Sequence, residues 1–341
     1  MKYAMIGDEF IMQFDDSDFE RSYEEEINNI NAQLEKEILF ALVGDVNAGK
    51  SSTINQLMGE EVSAVGPKPG VQTVVEEYAY KDKIIFADTP GLNDINTKNS
   101  EETLKFYKEV DIVLFFLNAA GTVFSEVEKQ SFENIRKLNK RIILVLNKID
   151  AAEDIPGLIK FIEEVTNFDY KVVPISSKTG ENIEKLRSEI LNILEEKKKD
   201  ILFARLIKQK SSTANKWIIA AATSASAVGA APIPGSDIVP LTGIQVRLMV
   251  KLAALYEKPL TKERAKELAI ASLTGNIGKS LFRQAVKVIP GAGPLVGAGV
   301  AGSMTLALGY GLKYAYENDI ELNAEVLKNL SNMFLKKKSS Q

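Results

Sequence analysis

Apolar runs recur along the chain at Ile38 to Val43, Val74 to Tyr80, Lys83 to Asp88, Asp111 to Asn118, Arg141 to Asn147 and Lys171 to Ser176. Amphipathic stretches such as Ser125 to Leu138 lie between them. Runs that stay rich in Ile, Leu, Val and Phe along their length belong to strands covered on both faces, and the helices between them supply the crossovers of a parallel sheet. The pattern predicts a doubly wound, mostly parallel six-stranded α/β domain over residues 38–196, closed by a helix from Glu181 to Glu196. An acidic segment, residues 1–37, precedes it, with a helix predicted from Ser17 to Glu37.

Past Lys197, Lys198 and Lys199 the strand signals stop, and Ala, Gly, Leu and Lys dominate long helical patterns over residues 197–341. Two stretches there, Trp217 to Ala231 and Val288 to Leu312, carry no charge. Ile233-Pro234-Gly235 and Ile289-Pro290-Gly291 each interrupt a pair of apolar helical stretches, because proline and glycine together stop one helix and turn the chain. The pattern predicts an all-α domain with two related helical hairpins, then an amphipathic helix from near Asp319 to Lys336, Lys337 and Lys338.

Composition narrows the chemistry. The 341 residues contain neither cysteine nor histidine, so disulfides, thiolate nucleophiles, imidazole bases and Cys/His metal sites are excluded. Carboxylates, lysines, backbone dipoles and hard cations remain, and phosphoryl transfer needs little more. The start, Met1 to Glu9, lacks the basic and apolar regions of a signal peptide, which predicts a cytoplasmic chain. The net charge of −4 divides unevenly: −8 over residues 1–37, −8 over 38–196 and +12 over 197–341. That asymmetry fits an anionic partner such as a membrane surface or nucleic acid, docking of the acidic segment onto the basic one, or simply solvated helix faces.

The sharpest motif follows the first apolar run. Gly44-Asp45-Val46-Asn47-Ala48-Gly49-Lys50-Ser51 reads G-x-x-x-x-G-K-[ST]. A strand ending in this loop and opening into a helix points backbone N–H groups and a helix N-terminus at one spot, which then binds phosphate oxygens. Asp45, Val46, Asn47, Ala48, Gly49, Lys50, Ser51 and Ser52 form the expected cradle, with Lys50 reaching the β- and γ-phosphates and Ser51 ligating Mg²⁺.

The remaining parts of a guanine-nucleotide switch appear in order. Thr73, between the loop helix and the second strand, is placed to ligate Mg²⁺ and to bind the γ-phosphate. Asp88-Thr89-Pro90-Gly91 closes a strand, with Asp88 as a Mg²⁺ holder and the Gly91 N–H as a γ-phosphate sensor. Asn147-Lys148-Ile149-Asp150 closes another. The Asp150 carboxylate can accept from both N1–H and the exocyclic amine of guanine, a donor pair adenine lacks; Asn147 tethers the loops and Lys148 covers the base. Ser176-Ser177-Lys178 offers backbone N–H groups to guanine O6.

With these residues in this order, residues 38–196 resemble the P-loop GTPases of the translation-factor class, and among them the Era and TrmE type. The resemblance implies Mg-GTP binding, hydrolysis to GDP, and switching of the loops around Thr73 and Gly91. Leu92 stands where Ras-like proteins carry a water-orienting glutamine, so the resemblance implies that a catalytic group comes from elsewhere. Members of the group with asparagine at the position of Asn47 often bind K⁺ there when two G domains meet face to face. Asn47 therefore either caps the loop or is a K⁺ ligand in a homodimer, with Lys50, Thr73 and Gly91 as the other catalytic candidates.

The basic region resembles the helical domain that follows the G domain in some bacterial Era-like GTPases, through Pro232-Ile233-Pro234-Gly235-Ser236-Asp237 and Leu255-Tyr256-Glu257. It is more distantly similar to immunity-related and dynamin-like GTPases. The uncharged stretches approach membrane-spanning length, but their prolines and glycines favour a buried bundle over an inserted hairpin. The leading expectation is a GTPase switch controlling the helical domain. The alternatives are a dynamin-like module that associates with an anionic membrane on its inner face, and, more weakly, an RNA-binding assembly factor, since no KH-type G-x-x-G loop follows the G domain.

Overall fold

The chain opens with an antiparallel hairpin, β1 (Ala4–Ile6) and β2 (Glu9–Ile11), ahead of helix α1 (Asp16–Leu34). The helix-only expectation for the acidic segment overlooked this hairpin, although Gly7-Asp8 between two short apolar pieces is a hairpin signature. The computed structural model describes residues 4–6, 9–11, 16–62, 76–88, 101–208, 210–229, 238–274, 300–321, 323 and 325–326. Packing divides the chain into two compact units, residues 33–209 and residues 1–32 together with 210–341.

Residues 33–209 hold β3 (Ile38–Val43), α2 (Lys50–Met58), β4 (Glu76–Tyr80), β5 (Ile84–Asp88), α3 (Glu101–Glu109), β6 (Ile112–Asn118), α4 (Glu126–Leu138), β7 (Ile142–Asn147), α5 (Ile155–Val165), β8 (Lys171–Pro174), α6 (Ile183–Glu196) and α7 (Asp200–Leu206). The six strands β3 to β8 form one sheet in the order β4-β5-β3-β6-β7-β8. All neighbours are parallel except β4 and β5. The central strands are apolar throughout because both their faces are covered. Ala41 and Val43 of β3 belong to one buried core with Tyr107 of α3, Phe132 and Ile135 of α4 and Ile162 of α5. Phe40, alternating with them, stacks on Phe86 of β5 and lies 5.9 Å from the Phe203 ring of α7. Local sequence sets the helix ends: Ser125 and Glu128 form a reciprocal capping box at α4, and Asp154 with Pro156 opens α5.

The other unit contains α8 (Ser211–Gly229), α9 (Ile238–Tyr256), α10 (Lys262–Thr274) and α11 (Val300–Glu317). Small residues let α8 and α11 approach closely: a Cβ on Gly309 would stand 2.8 Å from Ile218 side-chain carbons. Among the described residues, no helix is long and apolar enough to cross a membrane. Both Pro-Gly interruptions and Lys336 to Lys338 lie outside the described residues.

Helix α1 packs with this unit, and the acidic and basic segments meet there. Lys262 pairs with Glu24 at 3.0 Å and Glu20 at 3.4 Å, Lys266 with Asp16 at 2.9 Å, and Arg247 with Glu26 at 3.9 Å. Tyr23 donates its hydroxyl to the Leu260 carbonyl at 2.6 Å, and Phe19 is fully buried. Exposed ion pairs contribute little each, so Phe19 anchors the helix and the charges set its register.

Candidate functional site

The parallel strands β3, β5, β6, β7 and β8 end on one edge of the sheet, at Val43, Asp88, Asn118, Asn147 and Pro174. The strand order reverses at β3, which has β5 on one side and β6 on the other. Loops leaving a sheet at such a reversal open a crevice beyond the carboxyl ends, the place where α/β sheets bind ligands.

The loop after β3 occupies that place. Gly44 passes so close to β6 that an added Cβ would sit 2.8 Å from both Cβ and O of Phe116. Asn47 is exposed and left-handed at φ 66°, a region asparagine tolerates better than most residues. Ala48 N–H donates to Asp45 O at 3.1 Å, closing a tight turn. Gly49, at φ 89°, leads into α2, and a Cβ there would stand 2.1 Å from Asn147 Nδ2. Val46 is 82% exposed at the tip, and Ser51 and Ser52 are exposed on the first turn of α2.

Lys50 folds back over the loop. Its ammonium donates to Gly44 O at 2.9 Å and Asp45 O at 3.2 Å, and lies 3.5 Å from Asp88 Oδ1. The loop lysine and the strand-end carboxylate are thus brought together from positions far apart in sequence.

The second cluster is built on Asn147, which is wholly buried. Its Nδ2 donates to Ala48 O at 2.8 Å and to Ser177 Oγ at 3.1 Å, and its Oδ1 accepts from Ser177 N–H at 3.0 Å. One side chain thereby joins the loop after β3 to the loop after β8. Lys148 is left-handed at φ 66°. Asp150 Oδ1 accepts from Ser176 Oγ at 2.6 Å, and Lys178 Nζ stands 3.9 Å from Asp150 Oδ2. Ser176 Oγ also accepts from Thr179 N–H at 3.1 Å, which fixes the hydroxyl as a donor to Asp150. A carboxylate is thus oriented beside the two loops that Asn147 joins.

Residues 39–148 match the family described as 50S ribosome-binding GTPase. The chain carries a P-loop GTPase domain. GTPase Era of Caldanaerobacter subterraneus subsp. tengcongensis is 34% identical over 170 residues, covering 46% of this chain and 55% of that protein. GTPase Era of Aquifex aeolicus is 32% identical over 170 residues, covering 46% and 56%. The chain thus spans about half the length of the curated relatives it matches. Among solved structures, Era in complex with MgGDPNP and nucleotides 1506–1542 of 16S ribosomal RNA is 30% identical, covering 46% of this chain and 57% of that one, with a TM-score of 0.36. Residues 194–317 match a domain of unknown function, DUF697.

In this GTPase domain, Thr73 and Gly91, with Leu92, lie outside the described residues. Among the described residues, no group of three or more Asp and Glu gathers as a metal cage. A hard cation held jointly by phosphates needs fewer protein ligands, and a hydroxyl at Ser51 with a strand-end carboxylate at Asp88 is an oxygen donor set that suits Mg²⁺.

Two further residues shape the GTPase domain without having stood out in the sequence. Arg187 of α6 is buried and donates to Leu57 O at 2.8 Å and Gln56 O at 2.6 Å, holding the far end of α2. Burial lowers the pKa of its guanidinium, and Glu184 works against that. Glu128, the capping residue of α4, has its carboxyl pushed up by burial, with the Asp45 carboxylate adding to the shift. An arginine on an amphipathic helix reads as a solvated face, so no local signal marked Arg187, whereas the Ser125-x-x-Glu128 spacing marks Glu128 as a capping residue and nothing more.

Proposed function

We propose that the chain is a GTP-binding and GTP-hydrolysing switch whose nucleotide state controls the helical unit. The observation that carries this reading is the Asn147 bridge, which holds the phosphate-type loop and the Asp150–Ser176 pair as one preorganised site. Asp150 would read the N1–H and amine edge of guanine. Ser176, Ser177 and Lys178 would frame O6, and Lys148 would cover the base. Backbone N–H groups from Asp45 to Ser52 would cradle the phosphates, with Lys50 moving from its carbonyl acceptors to the β- and γ-oxygens.

Ser51, Thr73 and Asp88 would hold Mg²⁺, which neutralises charge on the phosphate oxygens when bound. The Gly91 N–H would report the γ-phosphate. Water attack on the γ-phosphorus releases phosphate and leaves GDP, and Leu92 supplies no group to orient that water. We assign the missing charge to K⁺ at Asn47 in a homodimer of G domains, a role that the exposure of Asn47 on the loop supports.

A second reading, a membrane-associating assembly module on the inner face of the membrane, draws on the charge of +12 over residues 197–341, which the −8 of the N-terminal segment offsets only in part.

GTP turnover measured against protein concentration, in K⁺ and in Na⁺, tests the reading. Specific activity that rises with concentration and is higher in K⁺ supports the switch with dimer and cation. Equal rates in both salts remove K⁺, flat specific activity removes the dimer, and no guanine-nucleotide binding removes the whole reading. Co-sedimentation with anionic liposomes in neither nucleotide state removes the membrane alternative.

A further inference from the structure

Helix α7 has seven residues, too few to be stable in isolation, and its ends are completed by other elements. Its cap residue, Lys199, makes no side-chain capping bond. Instead the Ile201 N–H donates to Oε1 of Gln33, in the last turn of α1, at 3.2 Å in the interior. Lys36, just past α1, donates to the carbonyls of Lys197 at 3.2 Å and Lys198 at 3.1 Å. At the other end, Leu206 O accepts from the Tyr80 hydroxyl at 3.3 Å, and Lys208 N–H donates to Met58 O at 3.2 Å. Tyr80 closes β4, the strand that follows the segment containing Thr73, and its single hydroxyl proton is shared between Leu206 O and the Glu60 carboxylate just beyond α2. Between these ends Phe203 packs under Phe40 of β3, which stacks on Phe86 of β5; those two strands lead to the phosphate-type loop and to Asp88.

The backbone passes between the two units twice, at 32/33 within α1 and at 209/210 after α7. The first crossing is one residue from Gln33, and the second lies three residues beyond Leu206. We propose that α7 is the relay through which the nucleotide state of the GTPase domain reaches the helical unit. The proposal rests on the nucleotide reading above. A two-turn helix completed by the ends of α2 and β4 loses its completion when those ends move, and both chain crossings then feel the change. Gln33 and Tyr80 are positioning residues in this device.

Hydrogen exchange of the full chain, with GDP and with a non-hydrolysable GTP analogue, reads it out. In the wild-type chain the amides of α7 and of the first turns of α8 should exchange at rates that differ between the two nucleotides by about threefold or more. Tyr80→Phe and Gln33→Met should keep nucleotide affinity within about twofold and keep the difference in α2, yet lose the difference in α8. Two variants acting at opposite ends of α7 separate loss of relay from loss of folding, which a melting curve monitors. A wild-type difference confined to α2 and β5, or variants that retain the full α8 difference, would overturn the relay while leaving the nucleotide reading intact. Absence of nucleotide-dependent protection in α2 itself removes the nucleotide reading, and the relay with it.

Discussion

Replacing Asn147 by aspartate keeps its shape and reverses one of its three hydrogen bonds. The Ser177 N–H can still donate to a carboxylate oxygen, and the Ser177 hydroxyl can rotate to donate to the other. Ala48 O cannot adapt, since a carbonyl only accepts, and it would face a second oxygen at 2.8 Å. The lost bond costs about 1 kcal/mol and the stranded buried acceptor another 1–3, so the expected loss is about 2–4 kcal/mol at neutral pH. That is a large part of the 5–15 kcal/mol typical of a domain. A proton on the new acid restores a donor to Ala48 O, so burial and that acceptor raise its folded pKa above the unfolded value. Stability from a raised acid is present below the unfolded pKa and lost as pH rises through the folded one, so the deficit should shrink toward about pH 4 and be complete near pH 8. Urea unfolding followed by far-UV circular dichroism at both pH values measures it. The single tryptophan, Trp217, lies in α8 and serves as an internal control for the helical unit. A deficit of equal size at both pH values, or none, would refute the bridge as described.

Asp150→Asn should weaken guanine-nucleotide affinity by about 10- to 100-fold, the worth of one or two hydrogen bonds to a charged acceptor, and shift preference toward xanthine nucleotides; competitive titration with both nucleotides checks it. Phe19→Ala should cost about 3–5 kcal/mol, whereas Lys262→Ala should leave stability nearly unchanged despite its two ion pairs, because buried area outweighs exposed charge; denaturation monitored by Trp217 fluorescence ranks them. For Asp111, burial alone would raise the carboxyl, but hydrogen bonds from Lys197, Lys199 and Leu39 N–H outweigh it and hold the pKa below the ordinary range. A depressed acid contributes stability above its unfolded pKa and loses it as pH falls through the folded one, so the wild-type chain should lose stability on acidification below about pH 4. Asp111→Asn should be destabilised at neutral pH by about 3–5 kcal/mol and show a flatter acid limb in a pH series of unfolding midpoints.

The strands of the GTPase domain were legible because both sheet faces are covered, which makes each buried strand a continuous apolar run whatever the rest of the chain does. The runs from Ile38, Asp111 and Arg141 became β3, β6 and β7 with shifts of one residue at most. The phosphate-type loop and the Asp88, Asn147 and Ser176 clusters were legible for a related reason: each is a short string at a strand's carboxyl end, and parallel strands deliver all such ends to one edge. The hairpin ahead of α1 was legible only through Gly7-Asp8, since two three-residue strands leave almost no periodic signal.

The sequence by itself therefore determined the sheet, the order of its motifs and the charge asymmetry, because these rest on residue type and local spacing. Which side chain meets which was decided only by the tertiary structure. Asn147 reaches Ala48 across 99 positions, and Lys50 meets Asp88 only after β3 and β5 pair. The charge of the basic segment left its partner open among a membrane surface, nucleic acid and the acidic N-terminal segment. The fold brings α1 onto α9 and α10, where Phe19 finds a buried site and Glu20, Glu24 and Asp16 find lysines. Helix α7 reads as an ordinary amphipathic turn, and only the meeting of α1, α2 and β4 at its two ends sets it apart. Long-range pairing depends on which surfaces the packed core leaves adjacent, and no local pattern encodes that.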